Sequence, residues 1–120
     1  MNSTFVYVSN ADSGEISVLA LDERRGALVT VQTVAGLGTV MPMATRPDGR
    51  RLYAAQRNEP WSVLAFSIDP GDGRLTPLGE APLPQSMAHV AVDGSGRWLL
   101  SASYHGNLIA VNPIDADGRP

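Results

Sequence analysis

A hairpin that appears twice, in register, constrains this chain more than any other feature. Met43-Ala44-Thr45 and Leu52-Tyr53-Ala54-Ala55 flank a turn built on Pro47-Asp48-Gly49-Arg50. Proline presets the turn, aspartate caps its backbone N–H groups and glycine accepts a positive φ, so the apolar runs fold back on each other. The same arrangement returns as Val90-Ala91-Val92, Asp93-Gly94-Ser95-Gly96-Arg97 and Trp98-Leu99-Leu100-Ser101-Ala102, with Leu52 falling on Leu99. A hairpin repeated this way is one unit of a larger repeat.

The intervening segments repeat too. Ser17-Val18-Leu19-Ala20-Leu21 matches Ser62-Val63-Leu64-Ala65-Phe66, and Gly71-Asp72-Gly73-Arg74 matches Ala116-Asp117-Gly118-Arg119. The residues between Leu28 and Val34 alternate apolar and polar, as a half-exposed strand does. No segment carries a helical apolar period. Four short strands in a period of about 45 residues is the pattern of a β-propeller blade. A β-sandwich also gives evenly spaced strands, but it does not place the same turn tetrapeptide in successive repeats.

The expected fold is therefore all-β: a propeller of four-stranded antiparallel blades, of which the chain holds about two and a half. One domain is expected over residues 1–120, with blade one near 5–35, blade two near 41–82 and blade three near 88–114. Counting strands outward from the axis, the first blade lacks its innermost strand and the third its outermost. A propeller hides its sheet edges by closing its ring, so the expectation is an opening portion of a longer chain. The alternative is a short protein that closes a ring by oligomerising.

Composition narrows the chemistry. The chain has nine basic residues, all arginine, against twelve acidic ones, for a net charge of −3. That balance argues against a nucleic-acid surface. Without lysine there is no Schiff-base amine, and arginine is the one strong cationic ligand for anions. Without cysteine there is neither a disulfide nor a thiolate metal site. No apolar run reaches the roughly 18 residues of a spanning helix, and Met1-Asn2-Ser3-Thr4-Phe5 has no basic leader. The expectation is a cytoplasmic protein with no metal, no cofactor and no membrane partner, its oligomeric state left open.

Strand direction sorts the connections into two faces. One face takes the tight, repetitive turns with Asp48-Gly49, Arg25-Gly26, Gly73-Arg74 and Gly118-Arg119. The other takes the non-repetitive loops 10–15, 36–42, 56–61, 84–89 and 103–107, and variable loops are where sites are built. On that face His89 enters an innermost strand, and imidazole suits general acid–base work or binding of a substrate oxygen. Its plainer role is to fasten the loop. Because Pro42 holds the equivalent place, blade geometry does not require a histidine there. Arg57 can fork onto a phosphate or carboxylate, or pair with Glu59 at the surface. Tyr104, His105 and Asn107 suit a polyhydroxy ligand and equally suit a polar loop tip. Gly106 is expected to supply a positive φ. Asp48, Asp72 and Asp117 are expected as turn caps, and Asp12 and Glu15 as exposed loop acids. Trp61 and Trp98 read as packing or ligand platforms, with surface cover favoured for Trp98. Gly36-Leu37-Gly38 precedes no helix and so is no phosphate loop.

Tyr7-Val8-Ser9-Asn10, the hairpin Pro47-Asp48-Gly49-Arg50-Arg51-Leu52-Tyr53 and the strand Ser62-Val63-Leu64-Ala65-Phe66 resemble the lactonase family of seven-bladed β-propellers. Val40-Met41-Pro42-Met43, Ala81-Pro82-Leu83-Pro84 and the run from Ser101 to Leu108 extend the resemblance along the whole chain, about the first third of such a protein. The branch it most resembles is the bacterial 6-phosphogluconolactonases. The resemblance implies metal-free hydrolysis of 6-phospho-D-glucono-1,5-lactone to 6-phosphogluconate in the pentose phosphate pathway of carbohydrate metabolism. From their place on the loop face, His89 is the candidate catalytic residue and Arg57, Tyr104, His105 and Asn107 are the candidate substrate ligands. Related propellers lactonise carboxymuconate, with catalytic groups in later blades, and others are non-catalytic scaffolds. Both remain alternatives.

Overall fold

The structure, a computed structural model, describes residues 3–120. The leader reading at Met1-Asn2 lies outside the described residues. Ten strands follow in order: β1 (Thr4–Asn10), β2 (Glu15–Asp22), β3 (Ala27–Val34), β4 (Val40–Thr45), β5 (Arg51–Gln56), β6 (Ser62–Ile68), β7 (Leu75–Pro82), β8 (His89–Val92), β9 (Trp98–Ser103) and β10 (Leu108–Pro113). They form three antiparallel sheets ordered β1-β2-β3, β4-β5-β6-β7 and β8-β9-β10. These sheets are the propeller blades: among the described residues the second has four strands, while the first has no innermost strand and the third no outermost one. Among the described residues there is no helix, and none long and apolar enough to cross a membrane.

β5 organises the packing. Its Leu52-Tyr53-Ala54-Ala55 run is buried on both faces, which period-2 geometry resolves into two cores. Leu52 and Ala54 face the first blade and pack with Ile16, Val18, Val40, Phe66 and Leu75. Tyr53 and Ala55 face the third blade and pack with Val63, Met87, Val90 and Leu99. Each fully buried Leu, Ile, Val or Met contributes about 1.5–3 kcal/mol by leaving water. The continuous apolar run is thus a strand sandwiched between two neighbours.

Tyrosines fasten the blades at the turn face. Tyr7 donates its hydroxyl to the carbonyl oxygen of Gly73 at 2.7 Å, joining the first blade to the second. One repeat later, Arg51 donates to the carbonyl of Asp117 at 2.9 Å across the next seam. The turns are capped by aspartates, but not all as expected. Asp48 accepts from Arg50 N and Asp72 from Arg74 N, both at 3.0 Å. In the last turn it is Asp115 that accepts from the Asp117 and Arg119 amides, while the Asp117 carboxylate takes the Arg119 guanidinium. Asp22, Asp69 and Asp93 cap their own turns in the same manner.

The third blade has one covered and one open face. Val90 and Val92 pack toward blade two, which turns His89 and Ala91 to the opposite side. The strand pairings His89↔Ala102 and Ala102↔Ile109, and Ala91↔Leu100 and Leu100↔Val111, extend that side across the sheet. It is apolar and exposed, Ile109 to 80% and Trp98 to 45%.

Candidate functional site

On the loop face, between blades two and three, lies a cleft of about 640 Å³ lined by Thr39, Met41, Arg57, Glu59, Trp61, Gln85, Ser86 and His105. Every lining residue comes from four of the five loops that the sequence marks as non-repetitive. The structure builds it from the Arg57 loop outward.

Three consecutive residues clasp the β3–β4 connection. Gln56 Oε1 accepts from Gly38 N at 2.6 Å, Arg57 N donates to Thr39 O at 2.9 Å, and Asn58 Oδ1 accepts from Thr39 N at 2.8 Å. Gln56 is itself oriented by donating Nε2 to Ser62 Oγ at 2.8 Å. Only glycine fits at 38, because a Cβ there would run into both amide oxygens. Next to the clasp, β4 carries one extra residue between the pairs Val40↔Gln56 and Met43↔Ala54. Such a bulge re-aims the side chains on it, and Met41 lines the cleft.

The Arg57 side chain crosses to the opposite wall. Its Nε donates to Ser86 Oγ at 2.9 Å and its Nη1 contacts Met41 Sδ at 3.4 Å. Glu59 does not pair with it; among the described residues, none of the ion pairs includes Arg57. The surface pair read from the sequence is therefore absent, because the guanidinium is turned to Ser86. Ser86 is buried, and its own N–H donates to Gln85 Oε1 at 2.9 Å. Gln85 in turn lies tight against Gly106, which brings the loop bearing His105 to the cleft.

Of the five candidates in the sequence, Arg57 and His105 come together here. Tyr104 and Asn107 line a separate shallow depression with Ala102, Ser103, Leu108 and Ile109. His89 lines neither; it is exposed on the open face of blade three, paired with Ala102 across the sheet. The positive φ of the tip belongs to Asn107, at 53°, rather than to Gly106. Gly106 is needed for a different reason, the close approach of Gln85.

Ser86, Gln85 and Thr39 carry no motif and are not singled out in the sequence, and Met41 enters there only within the run Val40–Met43. The clasp did leave a signal. Asn10 donates to Ser17 Oγ at 2.9 Å just as Gln56 does to Ser62, so an amide and a serine recur at matching places in two blades.

The lactonase, 7-bladed beta-propeller family matches residues 4–120. A 6-phosphogluconolactonase of Pectobacterium atrosepticum is 45% identical over 113 residues, covering 94% of this chain and 33% of that protein. A solved structure from Bacteroides fragilis, provisionally named a 6-phosphogluconolactonase, superimposes with a TM-score of 0.87 at 25% identity, covering 98% of this chain and 35% of that one. The periplasmic gluconolactonase of Pseudomonas aeruginosa superimposes at 0.81 with 24% identity, over 98% of this chain and 36% of its own. The chain thus spans about a third of the length of the curated relatives it matches. With its repeated hairpins, its stacked antiparallel blades and this match along nearly every residue, the chain belongs to the seven-bladed β-propeller lactonase family.

Proposed function

We propose that this chain forms part of a lactone hydrolase acting on 6-phospho-D-glucono-1,5-lactone, with the loop face as its substrate face. The observation that carries the reading is the 45% identity to a 6-phosphogluconolactonase across 94% of the chain. The reaction adds water to the ring carbonyl. A base takes the proton as the water oxygen bonds to the carbonyl carbon, and the tetrahedral oxyanion is held by donors. Collapse breaks the bond to the ring oxygen, which leaves with that proton as the hydroxyl of 6-phosphogluconate. His89 is our candidate for the proton-transferring group, since an imidazole can accept and return a proton near neutral pH. Arg57 and His105 in the cleft, and Tyr104 and Asn107 in the separate depression, are candidates for holding the substrate's oxygens. The setting that goes with this substrate is the cytoplasm and the pentose phosphate pathway.

The test is the hydrolysis rate of the phosphorylated lactone by the intact protein and by His89→Ala. The reading expects a slower turnover in the variant with an unchanged melting temperature. Absence of lactonase activity in the unaltered protein would reject the function. An unchanged rate in His89→Ala would remove that residue from the chemistry.

A further inference from the structure

Arginine is distributed very unevenly between the two faces. Eight of the nine arginines lie in or at the edge of the tight turns β2–β3, β4–β5, β6–β7 and β8–β9 and the turn after β10. Four of them form ion pairs with aspartates of their own turns. Arg57 alone stands among the loops of the opposite face, and the chain has no lysine to share the charge.

The environment of Arg57 is also unlike that of the others. It is half-buried, and its protein partners are a hydroxyl and a thioether. Neither neutralises a guanidinium, and sulfur is a weak acceptor that a phosphate oxygen readily displaces. The Nε–Ser86 bond fixes the plane of the fork, leaving the Nη edge as the part available to a ligand. The backbone beneath it is held by the clasp on Gly38 and Thr39. A preset fork of this kind matches the oxygens of a phosphate in bidentate fashion. The cleft, at about 640 Å³, has room for a phosphorylated sugar acid.

We infer that the Arg57 cleft is the phosphate-recognition subsite, taking the phosphomonoester end of the substrate and not the reacting carbonyl. This rests on the reading that the substrate is a phosphorylated sugar lactone. Glu59, the one acid among the cleft residues, is exposed, and its like charge opposes a bound phosphate, so its removal strengthens binding.

The experiment is calorimetric titration of the intact protein with 6-phosphogluconate and with gluconate, which differ only in the phosphate, alongside hydrolysis of the two corresponding lactones. In Arg57→Gln the affinity for 6-phosphogluconate falls by about 10- to 100-fold, the loss expected for hydrogen bonds to a charged group, while gluconate binding stays the same. Glu59→Gln, which leaves the fork in place, tightens 6-phosphogluconate alone. Equal loss for both ligands in Arg57→Gln, or no loss, overturns the subsite. If the intact protein hydrolyses neither lactone yet binds 6-phosphogluconate in an Arg57-dependent way, the hydrolase reading fails and the subsite stands. If it prefers the phosphorylated lactone and Arg57→Gln keeps that preference, the hydrolase reading stands and the subsite is wrong.

Discussion

The hydroxyl of Tyr53 donates to the carbonyl oxygen of Gly118 at 2.6 Å, across the seam between blades two and three. Tyr53 is fully buried and Gly118 is buried with it. Tyr7 and Gly73 make the same bond one blade earlier. A tyrosine on the second strand of one blade therefore reaches the outer turn of the next, and both seams combine an apolar core with one specific polar tie.

Tyr53→Phe keeps the ring and leaves the Gly118 carbonyl buried without its donor. The expected loss is about 1–3 kcal/mol, the penalty for an unsatisfied buried polar group, read from urea denaturation of the intact protein. Tyr7→Phe, at a half-buried position, loses less. Burial raises the pKa of both phenols above the usual tyrosine range. A raised folded-state pKa means that the stabilisation is complete below the ordinary value of about 10 and fades as the pH climbs through the folded one. Each Tyr→Phe variant lacks one such titration, so its stability, though lower near neutral pH, should fall less steeply above about pH 10 than that of the unaltered protein, as urea denaturation across that range reads.

Ser101 presents the opposite situation. It is 5% exposed, on the covered face of blade three, and its hydroxyl has no hydrogen-bond partner among the described residues. The equivalent place in blade two is Ala54, fully buried and apolar. Ser101→Ala removes the unpaired hydroxyl and is expected to stabilise by up to about 1–2 kcal/mol. A higher melting temperature checks it, and a lower one would show that the hydroxyl is satisfied.

Acid should loosen the turn face before the loop face. The Asp48 carboxyl is held below the usual carboxylate range chiefly by its hydrogen bonds from the Arg46 guanidinium. Asp69 is lowered by the backbone N–H groups of its turn, and Asp93 by the Ser95 hydroxyl and then by backbone N–H groups. Their stabilisation is present above the ordinary carboxylate pKa of about 4 and is lost as pH falls through the lowered values. Melting temperature should be flat from about pH 7 to 5 and fall below about pH 4, with a shallower fall in Asp93→Asn, which cannot titrate there.

The tip of the β9–β10 loop separates two demands usually met by one glycine. Asn107 holds φ at 53°, a conformation in which Asn→Gly is tolerated and Asn→Ala costs about 1 kcal/mol. Gly106 has no such φ, yet a Cβ there would strike Gln85. Gly106→Ala should therefore displace Gln85 and weaken the Arg57 cleft more than Asn107→Ala does. Ligand titration of the two variants compares them directly.

Much of the fold was legible because turn chemistry is local. The Pro-Asp-Gly-Arg hairpin and its echo fixed where strands begin, and the apolar run Leu52–Ala55 followed from its place in the repeat. Directions across sheets were less legible. His89 could be placed at the entry to an innermost strand but not on one side of the sheet: that side is set by Val90, which enters the core beside Met87 and Leu99, and alternation then carries His89 to the open face. The Arg57–Glu59 pair failed for a similar reason: proximity in sequence said nothing of Ser86, brought in from a loop nearly thirty residues on. Asp117 lost its expected capping role to Asp115 because a two-residue shift within one turn changes which carboxylate faces the amides.

Position 57 has a property that its neighbours lack. The main chain there, and the side chains before and after it, are committed to gripping the adjoining loop. The side chain at 57 takes no part in that grip. On the reading that this cleft takes a phosphate, the charge of the molecules admitted is set at a single residue, and exchanging it leaves the main-chain grip in place while giving up the bond to buried Ser86.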